Sequence, residues 1–198
     1  MTVRTIDWSQ LVIDTLRDPK GTAEQILTYS LSRQTLYTAL LAVAALNALI
    51  SGAMQQLFPS PFVLPPLLSN PLSLFVLVAV SLVIMGHLLF WAGRAMGGQG
   101  TLEDVLVLVI WLQALRVLAQ VVVFVLSFIA PGLAGLVALG ISLYGVYLLL
   151  HFISASLRFD SLARAAGVLI AVVVGLVLVL SFLLTLAGVG SLEVVGNV

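Results

Sequence analysis

Gln113, Arg116 and Gln120 are the residues whose types and spacing most suggest chemistry. They fall at i, i+3 and i+7, on one face of a helix. They sit within the apolar stretch IWLQALRVLAQVV, and Ser127 continues the face. A guanidinium flanked by carboxamides can hold an oxyanion such as a phosphate or a lipid headgroup. The competing reading is structural: Arg116 snorkels, or bonds to backbone carbonyls and fixes helix packing. The other faces of this segment are Val, Leu, Ile and Phe. The polar stripe should therefore point into a bundle or a water-filled cleft.

His87 and His151 are further candidates for a ligand or lipid headgroup. His87 shares a helical face with Trp91 and Arg94. Two histidines without Cys or acidic neighbours make a poor metal set, so no metal and no cofactor are expected. Interhelical hydrogen bonding is the expected role of both. No Ser-His-Asp order, paired carboxylates or phosphate loop is visible. Gly97, Gly98 and Gly100 form no dinucleotide fingerprint, because no strand precedes them. The sequence thus points away from an enzyme.

The elements that position these residues follow from composition. Of 198 residues, 62% are hydrophobic and 8% are charged. A soluble chain carries about 25% charged residues, so most of this one must be solvated by lipid. Gln34 to Gly93, Val117 to Leu157 and Ala165 to Leu192 contain no Lys, Arg, Asp or Glu. Each run exceeds the roughly 20 apolar residues of a membrane-spanning helix. The expected fold is an all-α polytopic bundle of five spans, at about 34–57, 72–94, 102–129, 133–157 and 165–187. Residues 34–198 form that domain. Residues 1–33 form an N-terminal segment in which Trp8, Leu11, Val12 and Leu16 mark a short amphipathic helix capped by Asp7. That helix is expected to lie on the cytoplasmic leaflet; the alternative is a short helix packed on the cytoplasmic loops.

Breakers divide the spans. The segment FPSPFVLPPLLSNP holds five prolines and ends the first. MGGQG ends the second, and Thr101, Glu103 and Asp104 suit the start of the third. APG at Ala130 to Gly132 returns the chain, and RFDSLAR joins the last two spans. Arg4, Arg17, Lys20, Arg33, Arg94, Arg158 and Arg164 then share one side, leaving only Arg116 inside a span. By the positive-inside rule the N-terminus is cytoplasmic and the C-terminus outside. A cytoplasmic salt-bridge cluster is expected among Arg94, Glu103, Asp104, Arg158, Asp160 and Arg164.

Ala134, Ala138 and Ser142 recur every four residues in span four, and Ala163, Gly167, Ala171 and Gly175 do so in span five. Such small-residue ladders let helices approach closely in lipid. Membrane lipids are the expected partners, together with a homo-oligomer or a larger complex in which this chain is an accessory subunit. A formal net charge of zero argues against nucleic acid. The absence of cysteine excludes disulfide and thiol chemistry.

LRDPKGTAEQIL before the spans, MGGQGTLEDVLVLVIW after the second, and YGVYLLLHFISASLRFDSLARAAGVLIAVVV across the last two carry a family resemblance. With Gly97, Gly98, Gly100, Tyr144, Gly145 and the Ser161-to-Ala165 stretch as anchors, the chain resembles the Yip family in a short bacterial form. The eukaryotic members are Rab-interacting membrane proteins linked to vesicle trafficking and prenylated small GTPases. The short, alanine-, leucine- and valine-rich sequence suggests a bacterial inner membrane, and the small-residue ladders and amphipathic helix suggest a non-enzymatic role in scaffolding, membrane organisation or assembly, with which the resemblance is consistent. The resemblance supplies no catalytic residues. The alternative is a small transporter or channel subunit using the Gln113, Arg116 and Gln120 stripe.

Overall fold

A computed structural model describes residues 7–29, 31–58 and 70–186. The proline-rich stretch at 59–69, the segment 1–6 with Arg4, and the end of the fifth span with the tail at 187–198 lie outside them. Seven helices occupy the described residues: α1 (Trp8–Arg17), α2 (Pro19–Leu27), α3 (Arg33–Leu57), α4 (Pro71–Ala95), α5 (Leu102–Ile129), α6 (Pro131–Leu157) and α7 (Leu162–Leu186). The last five are long and apolar enough to cross a membrane. At 25 to 28 residues each is about 37–42 Å long, ample for a hydrocarbon core of about 30 Å.

Local chemistry explains the boundaries. Ser32 accepts the Thr35 amide at 3.2 Å and starts α3. Asn70 accepts the Leu72 amide at 2.9 Å and precedes Pro71, which suits a first helical position. Thr101 and Asp104 form a capping box at the head of α5. α6 opens directly on Pro131, two residues before the sequence-based start. α7 opens at Leu162, three residues early, where Ser161 accepts the Ala163 amide at 3.2 Å. Asp18 starts the second short helix at Pro19 by accepting the Gly21 amide at 3.0 Å.

α3 packs on α4 and α5, α4 on α7, and α6 on both α5 and α7. The end that carries Arg33, Arg94, Arg158 and Arg164 is called the basic end below. The core is densest there. Leu89, Val105, Val109, Ile153, Leu157, Ala165, Val168 and Val172 make one buried cluster across α4 to α7. Leu36, Leu40, Ala44, Ala79, Leu82 and Leu106 make a second, where α3, α4 and α5 meet.

The amphipathic helix does not simply rest on a lipid surface. α1 and α2 form a hairpin against α5 and α6, and Leu11, Ala23 and Ile26 are buried with Leu108 and Phe152. Two long-range hydrogen bonds clamp it: Trp111 Nε1 to Thr15 Oγ1 at 3.1 Å, and Tyr144 Oη to the Leu16 carbonyl at 2.6 Å. The apolar side of α1 is thereby divided. Leu11 and Thr15 face protein, while Trp8, Ile13 and Leu16 stay exposed.

Candidate functional site

Two polar regions emerge, one at the basic end and one midway along α5. At the basic end the loop between α4 and α5 is stitched to the end of α6. Gln99 donates its amide to the Leu157 carbonyl at 3.0 Å. The Gly98 amide bonds to the Gly93 carbonyl at 2.8 Å. Gly97 has a φ of +87°, which closes the turn and suits glycine. A Cβ on Gly100 would lie 1.8 Å from the Ser156 carbonyl oxygen, so the two backbones nearly touch. Arg158 caps α6 in the left-handed region at φ 57°.

The charges of this end pair across helices. Arg158 Nη2 lies 3.6 Å from Asp104 Oδ2. Glu103 pairs with Arg33, at the head of α3, through a short hydrogen bond to Arg33 Nε. Arg33 was not among the residues expected in this cluster. No ion pair is found for Arg94, Asp160 or Arg164 among the described residues. Lys20, Glu24, Leu27 and Thr28 of the hairpin face Ser154, Ala155, Arg158, Phe159 and Asp160 across an open cavity of about 430 Å³.

Arg116 is the fifteenth of the 28 residues of α5, so it stands about 20 Å from either end. Its side chain is exposed, and Gln113 and Gln120 are half-buried. Gln120 reaches across to α3, where its Nε2 donates to Asn47 Oδ1 at 3.4 Å. Asn47 is buried, and Gln120 Oε1 is buried with no hydrogen-bond donor. Ser127 turns its hydroxyl back to the Val123 carbonyl at 2.8 Å. Among the described residues no hydrogen bond or ion pair engages Arg116.

The histidines lie elsewhere. His87 Nδ1 sits 2.8 Å from the Val83 carbonyl, and its Nε2 is 3.4 Å from Tyr37 Oη on α3. His151 bonds along its own helix to the Tyr147 carbonyl at 2.9 Å and lies against that ring, tilted by 51°. Neither joins Arg116. The ladders divide as well. Gly167 faces Met96, and Gly175 faces Leu88 of α4, while Ala163 and Ala171 are exposed. Ala134 is buried, Ala138 half-buried and Ser142 exposed. The buried face of α7 is instead Ala165, Val168 and Val172, a spacing of three and seven that a search for small residues passes over.

The family profile described as the Yip1 domain matches residues 13–183. The chain belongs to the Yip1 domain family. No curated protein and no solved structure matches it. The matched stretch takes in most of the clamped hairpin, all of the glycine-stitched basic end and the Arg116 stripe. A five-span helical bundle with an N-terminal hairpin is thus the form of a Yip1-family membrane protein in this chain.

Proposed function

We propose that this Yip1-family protein is a non-enzymatic component that holds other membrane components together, in a bacterial inner membrane and with its basic end cytoplasmic. One observation carries the proposal. Among the described residues, none of α6 from Gly135 to Tyr147 is buried, and a Cβ added at Gly132, Gly135, Gly140 or Gly145 would meet nothing within 4 Å. A helix facing only lipid gains nothing from glycine, which weakens it by roughly 0.5–1 kcal/mol per residue relative to alanine. A glycine-bearing surface lets a second helix approach closely, and close packing drives helix association in lipid. The basic end supports the reading, because its stitched loops give α6 a rigid base.

The chain contains no cysteine, so single cysteines report cleanly. Gly140→Cys in native membranes should form a cross-link, either between copies or to another membrane protein under a short bifunctional reagent. Leu72→Cys, on an exposed flank of α4, should not. Absence of any adduct at position 140 would remove the support for an assembly role.

A further inference from the structure

Val105, Val109 and Arg116 lie on one face of α5, since seven and eleven residues are close to two and three whole turns. Val105 and Val109 are buried under Leu89 of α4, Ile153 and Leu157 of α6, and Val168 and Val172 of α7. Two turns further along, the same face is open at Arg116. The exposed apolar residues of this half of α5 are Leu118, Val121, Val122, Val125, Phe128 and Ile129. At 100° per residue they stand about 120–180° away from Arg116. Arg116 therefore opens not onto the lipid-facing side of α5 but onto the side that the bundle covers at its basic end.

A guanidinium at that depth needs an anionic or strongly accepting partner. The spans supply no anionic one near it. Their acidic residues are Glu103 and Asp104, some 18 Å back along α5. One turn beyond Arg116, Gln120 Oε1 is buried and lacks a donor. An unmet cation and an unmet acceptor on neighbouring turns suit one group with both negative oxygens and an O–H. Carboxamides and a guanidinium are also a favourable donor set for such a group.

We propose that the inner face of α5 at Arg116 binds an oxyanion, specifically a phosphate group, with Gln113 and Gln120 flanking it. The source is either free phosphate or the headgroup of an anionic lipid drawn into the opening between helices. The site is independent of the α6 surface invoked for assembly, and its test leaves that surface unchanged.

The test places a single cysteine in the cysteine-free chain, reconstituted in phosphatidylcholine nanodiscs. Gln113→Cys should react with a water-soluble maleimide, and Val121→Cys on the lipid side should not. Free phosphate at ten times its Kd should slow the reaction at 113 about tenfold. Replacing part of the phosphatidylcholine by phosphatidylglycerol does so instead if the headgroup is the source. Adding Arg116→Gln should abolish the slowing in either arm. The proposal is overturned if position 113 is as inert as 121, if neither anion protects it, or if protection survives Arg116→Gln. Retained helical circular dichroism and a monodisperse elution profile establish that Arg116→Gln is folded.

Discussion

At the basic end Gly100 has the Ser156 carbonyl where its Cβ would be, and Gly93 faces Leu157 at a comparable separation. In the far half of α6, Gly135 and Gly140 face open space. The residue type is the same and the reason for it differs. At the basic end glycine permits two backbones of one chain to meet, and the contact is sealed by hydrogen bonds. In the far half none of the described residues uses the space. α3 and α5 stay together over the whole depth, through Arg33 with Glu103, Asn47 with Gln120, and Phe58 with Phe124 and Phe128 at ring distances of 5.0–6.3 Å. The comparison teaches that one end of the bundle is finished by its own sequence, while the other end leaves surface for something else.

The largest effect that could break this contrast comes from matched alanines. Gly100→Ala must displace the α6 terminus, and overpacking of this kind costs about 1–3 kcal/mol, occasionally more. Gly140→Ala should change the stability of the isolated chain by no more than about 0.5–1 kcal/mol, and in the stabilising direction. Thermal unfolding in mild detergent reads both. Equal losses for the two would mean that the halves are packed alike.

The N-terminal hairpin offers a smaller effect. Tyr144→Phe removes the bond to the Leu16 carbonyl and leaves the ring. A single hydrogen bond is worth about 0.5–1.5 kcal/mol, so the hairpin should open up to about tenfold more often. Limited proteolysis within α1 and α2 should quicken accordingly, with the spans unchanged. If cleavage is unaffected, the Trp111 bond to Thr15 and the burial of Leu11, Thr15, Ala23 and Ile26 hold the hairpin without Tyr144.

Much of this was legible in the sequence, and the exceptions have physical causes. Charge-free runs and breakers mark the five spans because lipid tolerates few alternatives to an apolar helix. The Gln113, Arg116 and Gln120 stripe is visible because polar residues stand out at helical spacing. What covers a face is not local information. Val109 and Arg116 occupy one face, yet α4, α6 and α7 cover only the first. Arg33 read as one more residue marking the cytoplasmic side, and its pairing with Glu103 required knowing that α3 and α5 start side by side. The amphipathic N-terminal helix reads as lying on the leaflet, or as packing on the loops, because amphipathicity names an apolar side without naming its cover. Trp111 and Tyr144, which clamp it, stand 96 and 128 residues from their partners.

The smallest effect concerns the first residues of the N-terminal hairpin. Asp7 caps α1 by accepting the Ser9 hydroxyl at 2.6 Å and the Ser9 and Gln10 amides at 3.1 Å each. The Ser9 hydroxyl, then the Gln10 amide, hold its carboxyl below the ordinary value of 3.8. The folded group thus binds its proton less readily than the unfolded one. Its contribution is present above the unfolded value and lost as pH falls through the folded one. Amide exchange at Leu11 and Val12 should therefore quicken only in strong acid, while exchange in the basic-end core stays slow. Asn caps a helix without titrating, so Asp7→Asn should make α1 exchange insensitive to acid. Should the Asn variant fray over the same pH range, the acid sensitivity would lie in another carboxylate of the hairpin, with Asp14 and Asp18 the next to replace.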